Sequence, residues 1–211
     1  IGVTERGQMI GDCILYALED ESYELVSSMP LLNWVEYQIV TGDWDVTYER
    51  DNNTSDNPTQ TRKRFRYQLD GPNAGAIFDE IVEGDAPFRT ARARISGVDV
   101  LVLRHSMSGH RGYEISGPYA QGESAVLPAI LEAGARHGLL QAGAKTYFSA
   151  SFEGGWMAYP LPAVYTGEEL RAYREWLPAD SWEGKFQLAG SFRPERIEEY
   201  YVTPYDMGYG K

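Results

Sequence analysis

The stretch "LRHSMSGHRGYEISGPY", Leu103 to Tyr119, carries a strand-like run into a glycine-punctuated break, and the chain then resumes extended with Glu114 between Tyr113 and Ile115. A carboxylate offers two acceptor oxygens and no donor. On the residues alone, Glu114 reads as an exposed hairpin glutamate. Other groups that could do chemistry carry less. His105, His110 and His137 show no zinc-ligand spacing with cysteine or carboxylate, so no metal is expected. Cys13 lies in an apolar run and reads as core rather than nucleophile. There is no phosphate-loop motif and no glycine fingerprint opening a helix for a dinucleotide. The basic run Arg62, Lys63, Arg64 and Arg66 reads as a solvated strand.

These residues must be positioned by a folded body. Of 211 residues, 43% are hydrophobic and 13% aromatic, a globular composition. A net charge of −12 argues against non-specific nucleic-acid binding, which needs a clustered basic face. No apolar run approaches the roughly 18 residues that would span a bilayer. A single cysteine permits no internal disulfide and fits a reducing compartment, the cytoplasm. The chain starts at Ile1 and stops at "GYGK", and both ends read as cuts in a longer polypeptide.

The elements alternate. "QMIGDCILYALEDESYELVSS" predicts a hairpin turning at Glu19-Asp20-Glu21-Ser22. "PLLNWVEYQIV" predicts a helix opened by Pro30 and stopped at Gly42. "WDVTYER" predicts a strand, followed by a polar loop over residues 51–60. "RFRYQLDG" predicts a strand, "NAGAIFDEIV" a helix, "TARARISGVDVLVLRH" a hairpin turning at Ser96-Gly97, and "GYEISGP" another strand. In "SAVLPAILEAGARHG", Val126, Leu127, Ile130, Leu131 and Ala135 predict one apolar helical face. From Leu139 an aromatic, glycine- and proline-rich stretch reads as irregular, with one short helix at "EELRAYREWL". The class expected is α+β, helices packed on mostly antiparallel sheet. Two intertwined subdomains, residues 1–65 and 66–211, are the expected division.

Taken together, "LRHSMSGHRGYEISGP", "AILEAG", "GW", "LRAYREWLPA", "IEEYYVTPY" and "GYG" resemble, in order, the folate-binding superfamily of the glycine-cleavage T-protein. The resemblance is closest to its tetrahydrofolate-dependent aryl O-demethylases acting on vanillate and syringate. It implies tetrahydrofolate as cofactor and a methoxylated aromatic as small-molecule methyl donor. It implies that Glu114 faces the pterin edge, whose ring N–H and amino group a carboxylate can accept together. Tyr113 and Trp156 are the further folate-binding residues it implies. Gly109 and Gly112 would let the backbone approach a flat ring. With Glu153 matched to the last residue of the T-protein segment "RD-x-LRLE", Tyr147 falls at the first arginine and Ser151 at the second. The O-demethylases have tyrosine there and also carry an insertion like Met157–Val202. The resemblance thus makes Tyr147 the catalytic residue, its hydroxyl, with a reference pKa of about 10, protonating a departing phenolate.

Departures limit the match. Ser28 stands where O-demethylases carry an arginine associated with the substrate carboxylate, which puts the benzoate substrate in question. The upstream glutamine and histidine motif and the C-terminal barrel-like domain of the family lie outside the chain, and the chain alone is expected to be inactive. Aminomethyl transfer, demethylation of a small non-aromatic donor, and folate binding without catalysis remain the alternatives.

Overall fold

The computed structural model describes residues 1–18, 21–52, 57, 61–84, 90–155, 162–185, 191 and 193–210. Trp156, the turn residues Glu19 and Asp20, and most of the loop 51–60 lie outside them. The architecture is α+β, and every strand pairing among the described residues is antiparallel. The chain divides into two compact units, Ile1–Thr47 with Ala158–Lys211, and Tyr48–Met157. The expected division at 65/66 would cut a strand, because the ladder from Arg64↔Pro118 to Asp70↔Gly112 is unbroken.

The second unit is built on a five-stranded sheet. Its strands are β5 (Arg64–Asp70), β6 (Val82–Glu83), β7 (Thr90–Ile95), β8 (Val98–Leu103) and β9 (Gly112–Pro118), in the order β5-β9-β8-β7-β6. Alternation sets the faces: Phe65, Leu69, Val98, Val100, Val102, Tyr113 and Ile115 are buried together. Helices α2 (Ala74–Ile81) and α4 (Leu127–Arg136) cover this face with Ile77, Phe78, Ile130 and Ala133. Ile77, Phe78 and Ile130, fully buried, contribute about 1.5–3 kcal/mol of transfer free energy each. The apolar stripe of α4 differs from the predicted one at its end, where Ala133 and Gly134 are buried and Ala135 is exposed. Glu80 of α2 accepts from His137 Nε2 at 2.5 Å and from Arg136 Nη2 at 2.6 Å, and these bonds hold its carboxyl below the ordinary range. The hairpin turn at Ser96-Gly97 has both residues in the left-handed region, as a two-residue connection matched to strand twist requires.

The first unit holds two small hairpins, β1 (Gly2–Val3) with β2 (Met9–Gly11) and β3 (Cys13–Ala17) with β4 (Tyr23–Ser27). The single apolar run read from the sequence is therefore broken at Asp12. Helix α1 (Met29–Thr41) opens at Pro30, as predicted, and packs Leu31 against Ile10. Helices α6 (Pro162–Thr166) and α7 (Arg171–Trp176) join that core through Val164 and Tyr173. Trp34, Tyr37, Tyr173 and Trp176 pack with ring centroids 5.0 to 5.7 Å apart in four of their pairings. The predicted strand Trp44–Arg50 is not formed. Its alternating Trp44, Val46 and Tyr48 are exposed, it joins no ladder among the described residues, and Trp44 Nε1 donates instead to the Gln38 carbonyl at 3.0 Å. No described helix is long and apolar enough to cross a membrane.

Among the described residues of this unit, one carboxylate is buried. Glu183, on α8 (Trp182–Lys185), is 2% exposed and accepts from Asn33 Nδ2 at 3.0 and 2.8 Å and from the Tyr173 hydroxyl at 3.2 Å. Burial, and then the Glu183 charge, pushes the nearby Tyr165 hydroxyl up to about 12. Removing the Asn33 amide leaves carboxylate oxygens under-satisfied, so Asn33→Leu should destabilise this unit by about 1–3 kcal/mol. Adding Glu183→Leu to that variant should restore part of the loss, because the uncompensated buried charge goes with it. Denaturant melts of the single and double variants check this; a double variant weaker than either single would contradict it.

Candidate functional site

The sheet face opposite the core carries polar and charged side chains. Along β5 it presents Arg64, Arg66 and Gln68, and along β9 Glu114 and Ser116, since Gln68 pairs with Glu114 and Arg66 with Ser116. The Glu114 side chain is 12% exposed, and its Oε1 accepts from Arg66 Nη1 at 2.7 Å. A carboxylate this desolvated needs a charged or hydrogen-bonding partner, and the basic run supplies it. The run is therefore not a merely solvated strand: Arg66 holds Glu114, and Arg64 Nη2 reaches Ser116 Oγ at 3.5 Å. Gln68 Nε2, beside Glu114 in register, donates to the His105 carbonyl at 2.9 Å.

The glycine-punctuated break is a loop tied down by hydrogen bonds to Asp70. Asp70, the last residue of β5, accepts through Oδ1 from Gly71 N at 2.8 Å, Ser106 Oγ at 2.9 Å and Ser108 Oγ at 2.7 Å. Its Oδ2 accepts from Met107 N at 3.2 Å. The loop returns into β9 at Gly112, where a Cβ would lie 2.7 Å from the His105 carbonyl oxygen, so only glycine fits.

The stretch after Leu139, read as irregular, contains helix α5 (Ala144–Glu153). Its C-terminal end sits directly on the loop, since a Cβ at Gly154 would approach the Met107 carbonyl oxygen to 2.5 Å. Tyr147, on this helix, is 42% exposed beside Phe148, at a centroid distance of 6.2 Å. Ser151 is buried and donates back to the Tyr147 carbonyl at 2.8 Å.

Two of the four predicted site residues, Glu114 and Tyr147, are thus borne by elements that meet at one loop. Tyr113 is not on that side. It is 0% exposed, points into the core and stacks on Phe78 with ring centroids 4.0 Å apart. Neighbouring residues of a strand face opposite ways, so its ring cannot share a ligand with Glu114, and the predicted folate contact is corrected to a core role. Trp156 lies outside the described residues. The sequence reading missed Arg66 as a partner of Glu114 and Asp70 as the organiser of the loop.

A cavity of about 460 Å³ lies in the other unit, lined among others by Thr4, Glu5, Trp34, Tyr37 and Glu169. It holds none of the residues singled out from the sequence. In the same unit, burial raises the Asp12 carboxyl above its ordinary range.

A carboxylate gripped by a guanidinium on a sheet face, beside a rigid glycine loop, can receive the paired N–H donors of a planar ligand. The family model for the GCVT N-terminal domain matches residues 2–161. The chain belongs to this family. Within the GCVT match lie Glu114, Arg66, Asp70 and Tyr147. A syringate O-demethylase from Sphingobium sp. is 39% identical over 214 residues, covering 100% of this chain and 46% of that enzyme. A sesamin methylene transferase from Sinomonas sp. is 29% identical over 216 residues, covering 98% of this chain and 44% of its own length. An aminomethyltransferase from Exiguobacterium sibiricum is 32% identical over 136 residues, 61% of this chain and 34% of that protein. The chain spans about half the length of the first two relatives.

Proposed function

We propose that this chain is the folate-binding part of a tetrahydrofolate-dependent methyltransferase, an O-demethylase that moves a methyl group from an aryl methyl ether to N5 of tetrahydrofolate. The observation that carries the reading is Glu114, a part-buried carboxylate fixed by Arg66 at the foot of a loop tied by Asp70. Similarity over the whole chain to a syringate O-demethylase supports the chemistry. The residues fit the cofactor: Glu114, held by Arg66 on the sheet face, is an acceptor for paired N–H groups.

When bound, tetrahydrofolate supplies the amine nitrogen that accepts the methyl group. The chain's own residues do the rest. Glu114 orients the ligand edge, with Arg66 holding the carboxylate in place. Tyr147 gives its hydroxyl proton to the ether oxygen as the bond from oxygen to methyl carbon breaks, so that a phenol rather than a phenolate departs. Ser28, whose Oγ is buried without a partner among the described residues, stands where an arginine would face a substrate carboxylate. We therefore take the donor to be a methoxylated aromatic that does not depend on a carboxylate. A reducing, cytoplasmic setting goes with this reading. Aminomethyl transfer is the second reading, supported by the similarity to an aminomethyltransferase.

The test is methyl transfer by the full-length protein, comparing methoxylated aromatics with and without a carboxylate against an aminomethyl donor. Product from the aminomethyl donor alone would sink the O-demethylase reading. Glu114→Gln turns one acceptor oxygen into a donor facing a ligand N–H, and folate binding should weaken by about 1.5–3 kcal/mol. Titration calorimetry decides it, and an unchanged affinity would return Glu114 to a surface role.

A further inference from the structure

One side of helix α1 serves neither Glu114 nor Tyr147. Trp34, Tyr37, Gln38 and Thr41 recur at the i, i+3, i+4, i+7 spacing that puts side chains on one face of a helix. Together they line the cavity of about 460 Å³ in the first unit. That volume lies in the range of small-molecule sites, about 300–1,000 Å³, which are walled by aromatic side chains and a few polar groups. The aromatic wall is preformed. The Tyr37 ring stands 5.7 Å from Trp34, 5.1 Å from Tyr173 and 5.5 Å from Trp176, so neighbouring rings hold it in place. Little order is then lost when a ligand enters.

The remaining lining sets the charge. The β1–β2 turn and the short 3-10 turn Glu168–Leu170 bring Glu5 and Glu169 to the same cavity. The β1–β2 turn is tied: Thr4 N donates to the Gln8 carbonyl at 2.9 Å, Gly7 N to the Thr4 carbonyl at 2.9 Å, and Thr4 Oγ1 to Gln8 Oε1 at 2.8 Å. Among the described lining residues, both charged groups are carboxylates. The Glu169 side chain is 16% exposed, yet its ion pair with Arg6 is long, with Nε 3.5 Å from Oε1, and Arg6 is 71% exposed. Such an open pair contributes little, and a carboxylate largely withdrawn from water favours a closer cation.

We infer that this cavity is a binding site for a small organic cation, an ammonium group carrying a ring or alkyl chain, seated on Trp34 and Tyr37 with its charge toward Glu169 and Glu5. The faces of indole and phenol rings carry negative charge density and attract cations. The carboxylates add to that attraction and repel an anion, so an aromatic acid does not fit. Arg6 already places a guanidinium beside Glu169, and an entering cation competes with it for the same carboxylate.

The experiment is titration calorimetry of the full-length protein with benzyltrimethylammonium, and with benzyl alcohol and benzoate as neutral and anionic counterparts. The cation should bind, the alcohol about tenfold more weakly, and benzoate not at all. Glu169→Gln keeps the shape of the wall and should weaken the cation about threefold to tenfold. Arg6→Ala should act in the opposite direction, tightening the cation about twofold to threefold, because the competing guanidinium is gone. Its side chain is mostly exposed, so the fold should survive. Tyr37→Leu keeps apolar bulk without a ring face and should weaken the cation too. Because Tyr37 packs on other rings, a denaturant melt checks that this variant folds, and Glu169→Gln decides the matter if it does not. Raising the salt concentration should weaken the cation in the unaltered protein. The inference is overturned if the alcohol binds as tightly as the cation, if neither Glu169→Gln nor Arg6→Ala changes cation affinity, or if the cation fails to bind at millimolar concentration.

Discussion

Replacing Tyr147 by phenylalanine should slow methyl transfer by about two to four orders of magnitude, the usual share of a general acid. The ring survives the change, and Tyr147 is half exposed on α5, so the helix loses little packing. Folate affinity should barely move, because the lost contact matters in the transition state rather than the ground state. The substrate series supplies the sharper signature. Methyl ethers of more acidic phenols need less protonation as the bond breaks, so they should be slowed least in the variant. Single-turnover rates across ring-substituted donors measure both effects. Uniform slowing of every donor, accompanied by weaker binding, would make Tyr147 a packing residue and put the proton elsewhere.

Much of the second unit was legible because its signals are local. The hairpin at Ser96-Gly97 and the alternation in "VDVLVL" need no distant information to be read. The period of a strand also held a correction that was available from the start: Tyr113 and Glu114, being adjacent, cannot both touch a ligand on one face. Helix α5 was hidden for the opposite reason. "AKTYFSASFE" is crowded with aromatic, serine and threonine residues of modest helix propensity, and it gives no strong apolar stripe. What helps fix it is the backbone contact of Gly154 with Met107, 47 residues upstream. Arg66 was misread for a related reason. Its partner lies 48 residues away, and a run of charges carries no mark of which member is engaged. Asp70 looked like the polar end of a strand. Its role depends on Ser106, Met107 and Ser108, which only the closing of the sheet brings to it.

That dependence makes Asp70 the most consequential residue outside the reacting groups. One carboxylate ends the β5 strand and gathers a backbone N–H and two hydroxyls of the loop, besides the N–H of Gly71. Hydrogen bonds to a charged group contribute about 1.5–3 kcal/mol each when buried. Water can replace some of them here, because Asp70 is only half-buried, so Asp70→Ala should cost the second unit about 3 kcal/mol in all. Asp70→Asn should cost less, since its amide oxygen can still take the place of Oδ1 while the Met107 N–H loses Oδ2. Ser106→Ala and Ser108→Ala should each cost less again. The functional consequence follows from position. The loop enters β9 two residues before Glu114, and α5 rests on the same loop at Met107. Releasing it should loosen both ends of the site, so that folate binding and methyl transfer fall together in Asp70→Ala, unlike the rate-only loss expected for Tyr147→Phe. Hydrogen exchange at the Met107 amide gives a readout independent of catalysis and should accelerate in the order of the stability losses. If exchange there stays slow in Asp70→Ala while the protein remains folded, the loop is held by other contacts, and Glu114 owes its position to the sheet alone.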